Sequence, residues 1–382
     1  CSNMISRHFL RAKVLQTVCA ANTDPVSGPT NSVDVVAAEK NFTHNISRLN
    51  DLGVLQLSML EHFVEVAGVM MEEARHKFMP TEAELNPNPR LLNNRLIRKL
   101  AENPDYRSHV KESGVNWGGV EYDAIFRQAY SELVRLSIYR DYLASGLGET
   151  PEAQWLQDQE FAMKLFKYLV NYPQLREVVC PQSLLWEDDF DQIAQYDFKI
   201  LRTMDETFGE DSVVPLVCDP RDEADAMAYE FAHQLLLDTM RHREEVEDMI
   251  RKNLQGWEFD RVAGMDILLI NMAVAELTDC PSIPERVTVD EYIELSKEFS
   301  SDRSRLFING ILGKFILILR SEGRIKKTGR GMAGFGEKED EEHGMDGIYE
   351  VPSDEEPVPV VTVRKSRPRI KRVEGSHTEN TD

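Results

Sequence analysis

Apolar residues recur three and four positions apart along most of this 382-residue chain, with few glycines or prolines to interrupt them. This spacing places apolar side chains on one face of an α-helix, so it predicts helices that bury that face. The longest run extends from about Val33 to Phe78, and we expect a helix this long to bend or divide near Gly53. Its apolar positions are Leu49, Leu52, Leu55, Leu57, Leu60, Phe63, Val64 and Val66. The pattern predicts an all-α fold.

The same periodicity predicts ten further helices. They cover Met4–Ala20, Leu91–Ala101, Tyr122–Leu143, Pro151–Val170, Leu184–Phe208, Ala224–Arg241, Glu244–Asn253, Asp260–Leu277, Thr288–Phe299 and Asp302–Leu319. The segment Val213–Val217 has the composition of a short strand, but Pro215 disfavours one because proline cannot donate to a sheet.

The composition changes after Gly323. Residues Glu337–Glu356 are dominated by acidic side chains, and Arg364–Arg372 form a basic block. Few apolar residues and blocks of like charge are typical of disorder, so we expect a disordered tail over residues 323–382. The basic block either contacts RNA without sequence preference or is a solvated segment that folds back on the acidic one.

Cysteine usage and hydropathy limit where such a chain works. The five cysteines lie far apart without a CxxC pair, which disfavours a zinc ribbon and a disulfide scaffold. The most apolar stretch, Phe307–Leu319, is shorter than the roughly 20 residues that cross a bilayer and contains Lys314. The first turns carry basic residues but no apolar block typical of a signal peptide. We expect a cytoplasmic protein without a membrane partner.

Signatures of catalysis are sparse. The Glu73 and His76 pair has a spacing that iron-binding helices use, but a di-iron site needs a second such pair, so a solvated helix face is the better interpretation. No P-loop, GxGxxG, GxSxG or HExxH motif occurs. The sequence predicts neither an enzyme nor a site for a cofactor or metal.

Charge is distributed unevenly. The formal net charge is −22, which opposes binding to phosphate, yet no acidic residue lies between Met4 and Ala21. Arg7 and Arg11 are four residues apart, and a helix would place them on one face about 6 Å from each other. With His8 and Lys13 they predict a small RNA-binding site, because guanidinium groups bind phosphates and stack on unpaired bases. On composition alone, an ordinary solvated basic face is the commoner alternative.

A second basic segment surrounds an aromatic residue. Phe307 follows Arg303, Ser304 and Arg305, so an exposed ring could stack on a base while the arginines contact its phosphates. Taken alone, an aromatic residue at this spacing is more often part of the core.

These residues, with those around them, resemble the NusB family. The stretch Trp257–Arg261 is similar to the family's tryptophan followed by Leu-Asp-Arg, and Met265–Leu277 to its helix ending in Ala-x-Tyr-Glu-Leu. The helix Val287–Lys297 follows Ile283-Pro284, and Ser304–Leu312 resembles Lys-Phe-Val-Asn-Gly-Val-Leu. The similarity holds over roughly Phe231–Leu319, with a weaker match of Arg7–Val18 to the family's basic first helix.

The resemblance implies a fold of two packed three-helix bundles. It divides the chain into an N-terminal bundle over residues 1–215, a NusB-like bundle over 216–322 and the tail. Residues from about 80 to 211 have no counterpart in short family members, so we interpret them as a helical insertion that enlarges the first bundle.

The resemblance also implies an activity. Family members bind the boxA sequence of ribosomal-RNA leader transcripts jointly with NusE, a small-subunit ribosomal protein, and join RNA polymerase to suppress termination and aid rRNA maturation. By position, Arg7, His8 and Arg11 match basic residues that face RNA, and Arg303, Ser304 and Phe307 match the RNA side of the last helix. Asp266 matches an acidic residue that faces the ribosomal protein.

Two alternatives stay open. One is a protein-only helical scaffold that has lost specific RNA binding, which the acidic net charge favours. The other is an RNA cytosine methyltransferase, since NusB-like modules precede such domains. That enzyme needs a glycine-rich cofactor loop in a βαβ unit, and the charged tail stands in its place.

Overall fold

Fourteen α-helices form the described part of the chain, which in this computed structural model comprises residues 5–23, 32–254, 259–301 and 303–332. They are α1 (Arg7–Thr23), α2 (Ser32–Arg75), α3 (Glu82–Leu85), α4 (Arg95–Glu102), α5 (Pro104–Ser113), α6 (Val120–Leu133), α7 (Ser137–Ala144), α8 (Pro151–Val170), α9 (Pro173–Val179), α10 (Trp186–Thr203), α11 (Glu223–Asn253), α12 (Gly264–Asp279), α13 (Glu285–Phe299) and α14 (Ser304–Ser321). These residues contain no strand, so the all-α prediction is confirmed.

The long helix α2 organises the fold. At 44 residues it is about 66 Å long, and it packs against α1 and α11 as well as against α5, α6, α8 and α10. It is continuous through Gly53, where we expected a bend or a division. A Cβ at Gly53 would lie 2.9 Å from Cγ2 of Val217 and 3.2 Å from Oδ1 of Asp197. The glycine therefore allows close approach of neighbouring segments and does not end the helix.

By length and composition α2 could also cross a membrane, although Phe307–Leu319 was expected to be the most apolar stretch. The most apolar 18-residue stretch of Val35–Arg75 has a mean hydropathy of 1.3, and 61% of that stretch is buried inside the protein. Burial against other helices of the same chain accounts for its apolar character, as in a core helix.

Helix boundaries follow local chemistry. The predicted start of α8 at Pro151 is observed, because Thr150 accepts a hydrogen bond from the backbone N–H of Ala153 and proline suits the first helical position. Proline also occupies the first helical position of α5 and α9, which begin at Pro104 and Pro173. Apolar periodicity did not predict these two helices. The predicted helix Tyr122–Leu143 is two helices, α6 and α7, whereas the two predicted between Ala224 and Asn253 are the single helix α11.

Two other predictions differ from the structure or lie outside it. Val213–Val217 is an irregular segment in which the N–H of Val214 donates to Asp105 and its carbonyl accepts from Arg221, so side chains replace a sheet ladder. Residues 323–332 pack on the protein and contradict the predicted start of a disordered tail at 323. The rest of that tail lies outside the described residues, as do Trp257 and Asp302.

Candidate nucleic-acid interface

The starts of α1 and α14 lie at the same end of the helical bundle. Nε2 of His8 is 3.0 Å from Oε1 of Glu298, near the end of α13. Arg303 is five positions after Glu298, so even a fully extended chain would place their Cα atoms at most about 18 Å apart. We call this region the α1–α14 end and define it by Arg7, His8, Arg303, Arg305 and Phe307. The sequence predicted that these two basic segments lie together.

Arg303 and Arg305 provide free positive charge at the α1–α14 end. Both are exposed, and no carboxylate within the described ranges forms an ion pair with either. Phe307, one turn further along α14, is half-buried and packs against the core. Two unpaired guanidinium groups beside a partly accessible ring can contact phosphates and support a stacked base.

Ser304 positions this segment and is not presented to solvent. It is buried, and its Oγ lies 2.8 Å from Oγ of Ser300 and 2.8 Å from Oγ of Ser301. These contacts fix the turn between α13 and α14. Ser304 therefore positions the start of α14 and does not contact RNA as predicted.

Arg7 is exposed and lies over an aromatic ring. Its guanidinium carbon is 5.1 Å from the ring centroid of Phe231 on α11, and that of Arg11 is also 5.1 Å from this ring. The ring holds Arg7 by a cation–π contact and leaves its N–H groups for other partners.

Arg11 does not lie on the exposed basic face that the sequence predicted. It is 2% exposed, with Nε 2.7 Å from Oε2 and Nη2 2.8 Å from Oε1 of Glu276 on α12. Burial opposes the charged guanidinium, but the hydrogen bonds and charge of Glu276 more than offset it and raise the pKa of Arg11. Glu276 also accepts hydrogen bonds from Thr288 and Tyr292 of α13. This network joins α1, α12 and α13 inside the protein.

Lys13 is likewise buried rather than exposed. Its ammonium group pairs with Asp189, the fourth residue of α10, and also donates to Gln16 at 2.8 Å. Burial lowers the pKa of Lys13 and raises that of Asp189, while the attraction between them opposes both shifts. The pair connects the first helix to the segment that the sequence analysis interpreted as an insertion.

His8 is half-buried between two carboxylates of α13. Nδ1 is 2.9 Å from Oε2 of Glu291, and Nε2 faces Glu298. Burial favours the neutral imidazole, but hydrogen bonds to Glu291 and Glu298 outweigh it, so the pKa of His8 is raised. His8 is therefore committed to α13 rather than free to face RNA.

The raised pKa of His8 makes the contact between α1 and α13 depend on pH. Because the folded pKa lies above the unfolded value of about 6.5, the stabilisation is complete below about pH 6.5 and is lost as pH rises through the folded value. His8→Gln should therefore lower the melting temperature more at pH 6 than at pH 9. His44→Gln, a change of an exposed histidine on α2, is the control. An equal effect of His8→Gln at both pH values would contradict this assignment.

Asp266, the predicted contact to a ribosomal protein, is also internal. It is buried, and its Oδ1 accepts a hydrogen bond from Oγ of Ser300 at 2.6 Å. Burial raises its pKa, and the hydrogen bonds from Ser300 and Ser304 act against that shift. Its carboxylate holds the start of α12 to the end of α13 and does not face a partner.

The carboxylates that bind these cations were not predicted from the sequence: Glu276, Asp189, Glu291 and Glu298. Of these four, only Glu276 could have been identified from the sequence, because it is an ionisable residue between apolar neighbours in α12. A charge at a buried helical position indicates an internal partner. The pairings of Asp189, Glu291 and Glu298 depend on tertiary contacts that periodicity does not reveal.

The spacing of Glu73 and His76 has an ordinary explanation. Glu73 binds Arg127 at 2.7 Å, and His76 lies 3.1 Å from Glu72. Within the ranges that the structure describes, no group of three or more His, Cys, Asp or Glu residues could hold a metal ion.

Comparison with known proteins places the helices in a family. The family model described as "NusB family" matches residues 218–317. Over 138 residues the chain is 38% identical to the "Transcription antitermination protein NusB" of Salinibacter ruber, which covers 86% of that protein and 36% of this chain. This chain belongs to the NusB family. No solved structure matches it.

The family match falls on the last four helices of this NusB protein. The family model covers all of α11, α12 and α13 and ends within α14, so α1–α10 lie outside it. Arg303, Arg305 and Phe307 lie within the matched residues, as does Glu276, the partner of Arg11. We refer to residues 218–317 as the NusB module.

Proposed function

We propose that this chain is an RNA-binding factor for transcription antitermination and ribosomal-RNA processing. It binds boxA-type leader RNA jointly with a NusE-type ribosomal protein in the RNA polymerase complex of the cytoplasm, and it performs no catalysis. The observation that carries the proposal is the 38% identity to a transcription antitermination protein nearly all of whose length the chain covers.

The physical support is the free charge at the α1–α14 end. Arg303 and Arg305 are exposed without carboxylate partners in the described ranges, where Arg7 also forms no ion pair and its guanidinium lies over the ring of Phe231. These three cations bind phosphates, and Phe307 supports a base beside them. Arg11 and Lys13 act indirectly, because their buried ion pairs hold α1 in the position from which Arg7 reaches this end.

A basic partner compensates for the unfavourable net charge of −22. Three carboxylates of α13, those of Asp290, Glu294 and Glu298, are each more than half exposed. They offer a basic ribosomal protein an acidic surface that continues to the α1–α14 end, and this surface replaces Asp266 as the proposed contact. Charge complementarity of this kind guides association and orientation. The bound partner then extends the track of positive charge along the RNA.

A gel-shift titration at fixed salt tests the proposal. The RNA is a boxA-containing leader fragment, with a scrambled RNA of the same composition as the control, each with and without the ribosomal protein. We expect the two proteins together to bind the leader fragment at least tenfold more tightly than either alone. Equal affinity for both RNAs, or no binding when the partner is present, would exclude specific recognition of the leader.

The protein-only scaffold remains the second candidate because Arg11, Lys13 and His8 are all paired with carboxylates. The same titration separates the two. A scaffold retains the ribosomal protein in a pull-down but gives no RNA shift.

A further inference from the structure

A short segment fixes the direction of the chain after α14. Lys327 is buried, and its Nζ donates to the carbonyl oxygens of Glu276 at 3.3 Å and Cys280 at 3.0 Å, at the end of α12. An ammonium group at a helix C-terminus satisfies carbonyls that lack helical partners. The backbone N–H of Thr328 donates to the carbonyl of Pro281 at 2.9 Å. We call residues 324–332 the strap.

The strap ends shortly before a strongly acidic stretch. Residues 337–356 contain ten Asp and Glu residues and one Lys. Because the strap is held at the end of α12, the chain enters this stretch from a defined place on the NusB module. That place is the end of the bundle opposite the α1–α14 end, since Arg320 near the end of α14 binds Glu285 at the start of α13.

The acidic stretch is long enough to reach Arg303 and Arg305. α14 has 18 residues, which is about 27 Å at 1.5 Å per residue. About eight residues of extended chain cover that distance at 3.3–3.6 Å each. The segment begins five residues after Met332, so its residues from about 340 onwards are within range of the start of α14.

The positive charges of Arg303 and Arg305 also make them suitable partners for the acidic stretch. Other arginines at the surface of the NusB module have carboxylate partners: Arg286 lies 3.8 Å from Asp290, and Arg251 lies 3.1 Å from Asp248. The molecule carries a net charge of −22, so most of its surface repels an acidic segment. The repulsion is weakest around cations that have no carboxylate partner. Lys326 and Arg330 of the strap are exposed too and are the nearest alternative target.

We propose that the acidic segment 337–356 binds the Arg303–Arg305 surface of its own chain and competes there with RNA. The proposal rests on the proposed function. A tethered competitor acts at an effective concentration of about millimolar, so even a weak contact displaces non-specific phosphate ligands. Leader RNA that is also held by the ribosomal protein displaces the segment. The acidic segment therefore weakens the binding of RNA that contacts this surface through its phosphates alone, and so increases specificity for leader RNA.

Crosslinking without RNA tests the contact. In the full chain carrying Arg303→Lys and Arg305→Lys, which keeps both charges, a zero-length carbodiimide joins amines to carboxylates in contact. Mass spectrometry should find links between positions 303 or 305 and residues 337–356, and these links should disappear at high salt. Links from the segment to Lys326 alone, or to the basic block 364–372 alone, would overturn the proposal.

RNA binding tests the competition. Neutralising Glu339, Asp340, Glu341 and Glu342 to the corresponding amides should tighten binding of oligouridylate by roughly fivefold at low salt and less at high salt. The matched control neutralises four exposed glutamates of the insertion, Glu149, Glu160, Glu177 and Glu210, for the same change in net charge. Equal gains in both variants would overturn the proposal, because they reflect net charge alone.

The two assays separate this proposal from the proposed function. Crosslinks at 303 or 305 in a protein that binds no RNA support the intramolecular contact and refute the proposed function. Normal leader binding with no crosslink and no effect of the segment supports the proposed function and refutes the competition.

Discussion

Replacing Arg11 with alanine should lower the free energy of unfolding by about 3–5 kcal/mol, the usual cost of breaking a buried ion pair by removing one partner. The guanidinium makes two short hydrogen bonds to Glu276, whose side chain is fully buried. Without Arg11 the Glu276 carboxylate keeps the hydroxyl donors of Thr288 and Tyr292 but loses the cation that is hydrogen-bonded to it, so a buried charge is left without its ion-pair partner. Denaturant unfolding followed by circular dichroism measures the change.

A double-mutant cycle identifies the pair as the cause. Glu276→Ala should cost a similar amount, and the double variant should cost less than the sum of the two, because each change removes the same interaction. Arg286→Ala is the matched control: its pair with Asp290 is exposed and longer, so the expected loss is below about 1 kcal/mol. Additive effects of Arg11→Ala and Glu276→Ala would show that the two side chains act independently.

Reversing charge at Arg303 and Arg305 should weaken RNA binding by at least tenfold at low salt. Each arginine that contacts a phosphate of single-stranded RNA contributes about 0.7 to the slope of log affinity against log salt. Loss of both contacts should reduce the magnitude of that slope by about 1.4. Filter-binding titrations of the Arg303→Glu, Arg305→Glu variant across a salt series measure both quantities.

The control for this variant is a charge reversal at an equally exposed arginine elsewhere. Arg286→Glu changes the same kind of residue at the opposite end of the bundle. It should alter affinity slightly and leave the salt slope nearly unchanged. Equal slopes for the wild type and the Arg303→Glu, Arg305→Glu variant would remove these two arginines from the interface.

The helices were predictable where one rule decided the local structure. Pro151 after Thr150 set the start of α8, and apolar periodicity set the extent of α2. The error at Gly53 arose because glycine both weakens a helix and permits close packing. The sequence does not show that Val217 and Asp197 lie against it.

The candidate site was predictable in place but not in detail. That α1 and α14 begin at one end follows from the family resemblance, and the contact between His8 and Glu298 agrees with it. The burial of Arg11 and Lys13 was not predictable. The sequence of a helix does not show whether a basic side chain on it contacts water or a carboxylate from a distant part of the chain. Their partners are 265 and 176 residues away in sequence.

The pair formed by Lys13 and Asp189 has a consequence for how a short NusB protein and this enlarged form can be converted into each other. Asp189 belongs to α10 and Lys13 to α1, and both residues lie outside the part of the chain that matches the family model. Without α10, Lys13 would lose its carboxylate partner and part of the protein that covers it. A chain that lacks α10 must therefore solvate or replace this ammonium group, so a change in α10 affects a residue 176 positions before Asp189 in the sequence.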